Sequence, residues 1–290
     1  MPLRLLLLLL PLLLAACQSG PPSSRALVIP SLAAAEAHAQ SDPRYAGIVV
    51  DTESGRVLYS EDADSIRHPA SLAKMMTLYL LFEAVRDGRF DMRSELAVSA
   101  RAASQPASKL GLKAGETIGV RDAILALCVR SANDVAVVVA EAIAGSEPAF
   151  AARMTAKGRA LGLSSTRFTN ASGLPDPKMV TTARDIAVLA RALQTDFPDR
   201  YAFFSTRSFT YEGRKLTSTN QLLGALPGID GMKTGYIRAS GYNLVASAKR
   251  GGKRIIVVVM GEKSGSARNG HVAALVEKYL PQKSGVFAFR

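Results

Sequence analysis

Several residue types are scarce in this chain of 290 residues, and each scarcity excludes a class of protein. It has no tryptophan, three histidines and two cysteines. A structural zinc site needs about four cysteine or histidine ligands, so these few residues argue against a metal cluster. Two cysteines are also too few for a disulfide-rich scaffold. We therefore expect no metal and no cofactor.

The composition that remains is that of a folded domain. The chain is 48% hydrophobic and 21% charged, with a mean hydropathy of +0.13. These values exclude a disordered tail and a collagen-like fibre, and the length allows one large hydrophobic core or two smaller ones. The formal net charge is +12, which suggests an anionic partner or surface.

The N-terminus, residues 1–16, has the pattern of a secretory signal peptide. Arg4 supplies a positive start, and the apolar run Leu5 to Leu14 is too short for a membrane span, which needs roughly 20 residues. The run ends in Leu-Ala-Ala-Cys, which resembles the bacterial lipobox with Cys17 as the acylated residue. The alternative is an ordinary cleavable signal that happens to precede a cysteine.

The lipobox interpretation divides the chain into four parts. Residues 17–39, rich in proline and serine, would form a flexible tether, residues 40–285 a catalytic domain of two lobes, and residues 286–290 a tail. The residue after Cys17 is not aspartate, so by analogy with other lipoproteins we expect a periplasmic protein anchored in the outer membrane. Cys128 is then the one free cysteine, and its apolar neighbours indicate a buried side chain.

The hydrophobic pattern predicts strands at both ends of the domain and helices between them. The predicted strands are 46–51, 56–59, 203–211, 214–217, 243–249 and 254–260. The predicted helices are 71–86, 120–128, 134–144, 148–161, 186–193 and 272–280. We expect the strands to share one antiparallel sheet, with a helical lobe inserted between them.

A Ser-x-x-Lys motif opens the first long predicted helix. The spacing of three places Ser71 and Lys74 on the same face, one turn apart. A lysine buried there would lose pKa through desolvation and could accept the serine proton. Taken alone the motif is weak, because both residue types are common.

Two further motifs follow in order along the chain. Ser131-Ala132-Asn133 lies between two helical runs, and Lys233-Thr234-Gly235 lies within the last third. Each has a plain structural explanation, Ser131 as a helix cap and Lys233 as a solvated charge. Together with Ser-x-x-Lys they match the active-serine signature of penicillin-binding proteins and serine β-lactamases.

Longer stretches of the chain resemble one branch of that superfamily. The segments around Ser71, 170–174, 182–185 and 241–245 are similar to low-molecular-mass D-alanyl-D-alanine carboxypeptidases, over roughly residues 40–280. The resemblance implies an α/β fold of α+β type, with a five-stranded antiparallel sheet flanked by helices and an all-helical lobe. The active site would lie between the two.

The resemblance also implies a role for each motif residue. Ser71 would attack the carbonyl of the penultimate D-alanine with Lys74 as general base, and the backbone N–H groups of Ser71 and Tyr236 would form the oxyanion hole. Ser131 and Lys233 would relay the proton to the departing amine, and Asn133 would hold the substrate amide and orient Lys74. Thr234 and Arg268 would bind the terminal carboxylate, and Gly235 would also contact the substrate.

Three departures from the family pattern bear on these roles. Ala132 stands where relatives often have glycine, which a loop should tolerate, and Thr219 stands where many have arginine. Arg268 lies in a segment, 263–270, that reads as a loop and differs from the family. Several relatives also continue into a β-rich domain and a C-terminal anchor, whereas this sequence stops at Arg290, which favours anchoring through Cys17.

Other enzymatic interpretations share the same fold. A class A β-lactamase needs a glutamate in a Glu-x-x-x-Asn loop, and none of the glutamates between Asn133 and Lys233 has asparagine four positions later. We therefore expect the acyl-enzyme formed with a penicillin to be hydrolysed slowly. An endopeptidase that cuts D-alanyl cross-links would use the same motifs and stays open. A lipoprotein that only binds cell wall would be expected to lack a catalytic residue.

Two remaining features have weaker functional interpretations. His68, three residues before Ser71, could serve as the base of a Ser–His pair, but it precedes a proline and Lys74 already fills that role. The basic run Lys249 to Arg254 spans a predicted hairpin tip without interleaved aromatics, so we expect no nucleic acid partner. Peptidoglycan stem peptides, β-lactams and, through the lipid anchor, a membrane are the expected partners.

Overall fold

A computed structural model describes residues 29–31, 33 and 42–282. The predicted signal peptide 1–16, the lipidation site Cys17, most of the tether 17–39 and the tail 286–290 lie outside the described residues.

The described chain alternates short strands with helices. The strands are β1 Ala46–Asp51, β2 Val57–Glu61, β3 Glu95–Ala97, β4 Thr117–Gly119, β5 Ser208–Tyr211, β6 Arg214–Thr217, β7 Ile229–Ile237, β8 Gly241–Arg250 and β9 Lys253–Glu262. The α-helices are α1 Lys74–Arg86, α2 Ala100–Ala103, α3 Val120–Leu125, α4 Asn133–Ala144, α5 Glu147–Ala160, α6 Ala183–Asp196, α7 Pro198–Tyr201 and α8 Gly265–Tyr279. Two 3₁₀ turns, Ala70–Ala73 and Ala202–Ser205, and a π turn, Ala126–Arg130, complete the elements.

The main sheet joins strands from both ends of the described chain. Its order is β2-β1-β9-β8-β7, with all neighbours antiparallel, and the helices from α1 to α7 lie between its two halves in sequence. This arrangement confirms the predicted fold class, a five-stranded antiparallel sheet with an inserted helical lobe. The β5–β6 hairpin was expected in the same sheet, but it forms a separate two-stranded sheet.

Strand β9 shows how the sheet separates two hydrophobic cores. Because successive side chains of a strand point to opposite faces, its apolar run divides between them. Residues Ile256, Val258 and Met260 join the core shared with the helical lobe, whereas Ile255, Val257 and Val259 face helix α8. A strand buried on both faces reads as a continuous apolar run, which is what the sequence has here.

Short polar side chains and a glycine mark the ends of helices in the helical lobe. Thr182 caps α6 by accepting a hydrogen bond from the Asp185 backbone N–H at 3.1 Å, and Ser146 caps α5 in the same way. Gly145 ends α4 in the left-handed conformation, with φ of 75°. In the described residues no single helix is long and apolar enough to cross a bilayer; α4 and α5 reach that length only as a pair bent by 82°.

Several predicted elements have different bounds in the structure: the helix predicted over 186–193 is Ala183–Asp196, and the one predicted over 120–128 gives way to a π turn after Leu125. The predicted strand 203–211 begins only at Ser208, because Ala202–Ser205 forms a 3₁₀ turn that buries Phe204 in the helical core. The closing helix was expected at 272–280 but begins at Gly265, where Ser264 caps it by accepting from the Ala267 N–H at 3.1 Å. The first turns of α8 carry polar residues and glycine, so they lack the apolar periodicity that predicts a helix.

Candidate active site

The Ser-x-x-Lys motif lies at the junction of a 3₁₀ turn and helix α1. Ser71 belongs to the turn Ala70–Ala73, and α1 begins at Lys74, so the single helix predicted over 71–86 is divided. The turn departs from α geometry because Ala70 has a φ of 49°. Both side chains still share one face: the Lys74 Nζ lies 3.1 Å from the Ser71 Oγ.

Lys74 is fully buried and fixed by two further oxygen atoms. Its Nζ donates to the Asn133 Oδ1 at 2.7 Å and to the Ser172 carbonyl oxygen. Burial is the main cause that holds the pKa of Lys74 well below its usual value, and the positive charge of Lys233 adds to the effect while Asp134 opposes it. A neutral amine in hydrogen-bond reach of a serine hydroxyl can accept its proton.

The segment 170–174 packs against the Ser71–Lys74 pair. Asn170 Oδ1 accepts hydrogen bonds from the backbone N–H of Gly173 at 2.7 Å and of Ser172 at 3.2 Å, which holds the turn closed. Gly173 has a φ of +81°, and a Cβ there would lie 1.8 Å from the Ala70 carbonyl oxygen. The Ser172 contact to Lys74 was not predicted, because a backbone carbonyl leaves no signal in the sequence beyond the motif around it.

Ser131 directly follows the π turn Ala126–Arg130. It adopts the left-handed conformation, with φ of 58°, and its buried Oγ makes no hydrogen bond with any described residue. The Asn133 side-chain amide is oriented by donating to the Pro106 carbonyl oxygen at 2.9 Å. Ala132 has an ordinary φ of −64°, so the position does not require glycine.

Lys233 lies on β7, a strand the sequence did not predict, at the edge of the sheet. Its side chain is 1% exposed, and its Nζ donates to the Thr234 carbonyl oxygen at 2.9 Å. Burial lowers the pKa of Lys233 to about 7; Cys128 opposes this shift and the positive charge of Arg268 adds to it. A buried lysine that titrates near neutrality can exchange protons with groups beside it.

Strand β7, at the edge of the sheet, approaches Ser71 at Gly235, which has no side chain. A Cβ on Gly235 would lie 3.2 Å from both the Ser71 N and the Pro69 carbonyl oxygen. The next residue, Tyr236, has a ring that is 53% exposed and stacks near Tyr242, with ring centroids 4.3 Å apart. The backbone of β7 therefore runs beside the backbone of Ser71, as an oxyanion hole built from both requires.

Arg268 was expected in a loop, and that expectation is wrong. It lies in the first turns of α8 and is 6% exposed, and its Nη2 donates to the Asn269 Oδ1 at 2.8 Å. Burial lowers its pKa to about 10, and its charge in turn acts on Lys233. His271 lies within the same helix, and its Nδ1 is 2.8 Å from the Glu262 Oε1.

Thr219, which the sequence marks only as a departure from the family pattern, makes a contact with a predicted substrate-binding residue. Its Oγ1 lies 2.8 Å from the Thr234 Oγ1, so one hydroxyl can orient the other. Thr234 was predicted to bind the substrate carboxylate. The structure places Thr219 directly beside it, where an arginine would add charge.

His68 and Cys128 are alternative candidates for the catalytic base and the nucleophile, but their surroundings do not favour these roles. The ring Nδ1 of His68 lies 2.8 Å from the Met179 carbonyl oxygen, whereas the hydroxyl of Ser71 bonds to Lys74. Cys128 is buried, as predicted, and burial raises the pKa of its thiol to about 12. A thiol with so high a pKa is a poor nucleophile at neutral pH.

Comparison with known proteins identifies the same family. The profile of the peptidase S11 family, D-alanyl-D-alanine carboxypeptidase, matches residues 33–264. The chain is 35% identical to D-alanyl-D-alanine carboxypeptidase DacF of Bacillus subtilis (79% of this chain, 60% of the relative) and 37% identical to DacC of Escherichia coli (83% and 63%). It thus spans about three fifths of the length of these curated relatives.

A solved structure agrees with the fold. Penicillin-binding protein D2 of Listeria monocytogenes, in its ampicillin-bound form, is 34% identical, with a TM-score of 0.70 over 80% of this chain and 95% of that one. With the matched motifs, the five-stranded sheet and the coverage of residues 33–264, this chain belongs to the D-alanyl-D-alanine carboxypeptidase family.

Proposed function

We propose that this protein is a serine-type D-alanyl-D-alanine carboxypeptidase that removes the terminal D-alanine from peptidoglycan stem pentapeptides. One observation carries the proposal: the Ser71 Oγ lies 3.1 Å from the amine of a fully buried lysine whose pKa is lowered. The family membership supports it. A serine hydroxyl beside a neutral amine can act as the nucleophile of acyl transfer, with the amine as its general base.

Acylation follows from this geometry. The neutral Lys74 amine takes the proton of Ser71 as the hydroxyl attacks the carbonyl carbon of the penultimate D-alanine. The negative charge that develops on the carbonyl oxygen is stabilised by the backbone N–H groups of Ser71 and Tyr236, an effect worth about 10²–10³ in rate per donor. Asn133 and the Ser172 carbonyl hold Lys74 in place throughout.

The leaving D-alanine departs toward the other two motifs. Ser131, whose Oγ has no hydrogen-bond partner among the described residues, delivers a proton to the amine with Lys233 behind it. Thr234 and Arg268 bind the terminal carboxylate. Water then hydrolyses the ester of Ser71, again with Lys74 as base, and returns the free enzyme.

The same serine would react with β-lactams. The Listeria relative is described in an ampicillin-bound form, and the two share the fold. Among the described residues between Asn133 and Lys233, no glutamate stands four positions before an asparagine, so the water-activating group of class A β-lactamases has no counterpart here. The acyl-enzyme should therefore persist.

The location of the enzyme is part of the proposal. The signal peptide 1–16 would direct it to the periplasm, and acylation of Cys17 would anchor it, with the outer membrane as the expected site. A net charge of +12 suits a protein that works beside carboxylate-rich peptidoglycan and anionic lipid better than one that meets nucleic acid.

The test is D-alanine release from a soluble peptide that ends in D-Ala-D-Ala. Wild-type protein should release D-alanine and bind fluorescent penicillin covalently, and Ser71→Ala should do neither. Ser54→Ala, which changes an exposed serine in the turn between β1 and β2, controls for effects of the substitution itself. Absence of release and of labelling in the wild type would refute the proposal.

A further inference from the structure

Asp134, next to the second motif, is a buried carboxylate to which the proposed chemistry assigns no step. It follows Asn133 in the first turn of α4, and its side chain is fully buried. Within the described residues it forms no ion pair. Burial of a charge is costly unless the charge is paired or hydrogen-bonded, so a carboxylate in this place must be satisfied by hydrogen bonds.

Four backbone N–H groups donate to the Asp134 carboxylate. Three of them belong to a segment outside the helix: Leu110 donates to Oδ1 at 3.0 Å, and Gly111 and Leu112 donate to Oδ2 at 2.8 and 3.2 Å. The fourth, Val135, belongs to α4 itself and donates to Oδ1 at 2.9 Å. Hydrogen bonds to an ionised acceptor are about twice as strong as those between neutral groups, so Asp134 ties this segment firmly to α4.

The same segment orients Asn133 from its other end. The Pro106 carbonyl oxygen accepts from the Asn133 Nδ2 at 2.9 Å, and the Ser108 carbonyl oxygen accepts from the Asn133 backbone N–H at 2.7 Å. We refer to residues 106–112 as the clamped loop. Its first half therefore holds Asn133, and its second half holds Asp134.

Asn133 in turn positions the base. Its Oδ1 accepts from the Lys74 Nζ at 2.7 Å, and the same Nζ lies 3.1 Å from the Ser71 Oγ. Because Pro106 fixes the other end of the amide, the side chain of Asn133 cannot rotate without breaking both contacts. A displacement of about 1 Å in such an arrangement can cost about a hundredfold in rate.

The charge of Asp134 also acts on Lys74. Burial and the positive charge of Lys233 lower the pKa of Lys74, and the negative charge of Asp134 opposes them. The pKa of Lys233 depends instead on burial, Cys128 and Arg268. A change of pKa that follows removal of the Asp134 charge is therefore assigned to Lys74.

Other charged side chains lie on the elements around the start of α4. They are Glu95 on β3, Arg101 on α2, Lys109 in the clamped loop, Arg130 in the π turn and Glu147 on α5. The Glu147 carboxylate is buried and paired with Arg101 at 2.5 Å, and it accepts from the Ala171 N–H at 3.1 Å. Glu147 is thus a second buried carboxylate, but one with a cation beside it.

We propose that Asp134 is a positioning residue for the acylation of Ser71: it holds the clamped loop on α4, and through Asn133 it keeps the Lys74 amine where it can accept the serine proton. This inference rests on the proposed function and adds a residue that serves the reaction without touching the substrate. A purely structural carboxylate would change only the amount of folded protein. A positioning residue changes the rate at each folded site.

The test measures acylation by fluorescent penicillin per reactive site. Varying the penicillin concentration separates its binding constant from the rate constant of acylation, and the label at completion counts the reactive sites. Asp134→Asn removes the charge and replaces one acceptor by a donor, whereas Asp134→Glu keeps the charge and moves it by one methylene. Glu147→Gln is the matched control, because it removes the charge of a buried carboxylate that is paired with Arg101.

We expect the acylation rate constant of Asp134→Asn to fall about a hundredfold per reactive site, with little change in the binding constant. The acid limb of the second-order rate constant, measured between pH 5 and 9, should also move to lower pH. The sign follows because the removed charge favours the protonated form of Lys74, which cannot act as the base. Asp134→Glu should lose rate but keep the wild-type acid limb, and Glu147→Gln should keep that limb as well.

Three results would overturn the inference and leave the proposed function standing: a wild-type rate constant per site in Asp134→Asn, an acid limb that does not move to lower pH, or an equal shift in Glu147→Gln. If Asp134→Asn yields no reactive protein, the rate constant of Asp134→Glu decides, and a wild-type value there would overturn the inference. A wild type that neither reacts with penicillin nor releases D-alanine would refute the proposed function and the inference together.

Discussion

The proposed chemistry depends on two lysines that the fold removes from water. Lys74 is entirely buried and Lys233 is 1% exposed, and burial is the largest cause of the lowered pKa of each. An exposed lysine would be protonated at neutral pH and could not accept a proton. The same burial links the protonation of these residues to the stability of the protein.

The pKa of Lys233 predicts how stability depends on pH. A lysine of the unfolded chain has a pKa of 10.5, against about 7 in the folded protein. Between these values the unfolded state binds the extra proton, so the free energy of unfolding rises as pH rises, whereas below about pH 7 both states hold it and the slope vanishes. Lys74 contributes with the same sign.

Urea denaturation at pH 7, 8 and 9 tests this expectation. The variant Lys233→Met should show a smaller rise than wild type, by up to about 1.4 kcal/mol per pH unit. The exposed Lys253→Met serves as the control and should keep the wild-type slope. Identical slopes in all three proteins would show that Lys233 is protonated in the folded state across this range.

At the scale of elements, the site depends on close contacts between backbones. The segment 170–174 lies against the 3₁₀ turn that carries Ser71, and β7 lies against the same turn from the other side. Glycines at both contacts, Gly173 and Gly235, make this approach possible, because a side chain there would meet backbone atoms. The nucleophile is thus held between two elements that are distant in sequence.

Gly173→Ala should disrupt one of these contacts. The left-handed φ costs an alanine about 1 kcal/mol, and its Cβ would meet the Ala70 carbonyl oxygen, so we expect a total loss of at least about 2 kcal/mol. Gly88→Ala is the matched control, since Gly88 also has positive φ but no atom within 4 Å of a Cβ. Denaturation midpoints and fluorescent penicillin labelling measure the two effects; equal behaviour of the variants would contradict the proposed contact.

The cap of α8 predicts an effect on substrate binding. Ser264→Ala removes the acceptor for the Ala267 N–H and should cost about 1 kcal/mol of stability. Because Arg268 lies in the first turns of α8, we also expect a higher KM for the D-Ala-D-Ala peptide. Ser146→Ala removes the corresponding cap of α5, away from the site, and should lower stability without raising KM. If KM changed equally in both variants, the result would contradict a role of Arg268 in substrate binding.

At the scale of the whole molecule, the sheet divides the described chain into two cores with the cleft at one edge. The helical lobe supplies Lys74, Ser131 and Asn133, and the sheet side supplies Lys233 and Arg268. Neither side alone carries all three motifs. The proposed lipid anchor would hold the protein at a membrane, and it would therefore determine which part of the cell wall the cleft can reach.

The anchor is tested by metabolic labelling with an alkyne fatty acid. Wild-type protein should incorporate the label and fractionate with membranes, and Cys17→Ser should lose both properties. Cys128→Ser is the control, because that thiol is buried and should leave labelling unchanged. Label retained in Cys17→Ser would refute the lipobox interpretation.

Local patterns in the sequence predicted much of the fold. Strand β1 and helix α4 follow from short apolar runs, and the three motifs identified Ser71, Lys74 and Lys233 as site candidates. The first turns of α8 were missed because its buried polar residues, Arg268 and Asn269, give no apolar period. Strand β7 was missed because glycines and a lysine interrupt its pattern.

The sequence by itself therefore determined which residue types are present at which spacing, and from them the family and the chemistry to expect. Only the tertiary structure decided that the Ser172 carbonyl holds Lys74 and that Thr219 meets Thr234. Capping and periodicity act within a few residues, so they are visible in the sequence. Burial, pKa and contacts between distant segments arise only when the chain is folded.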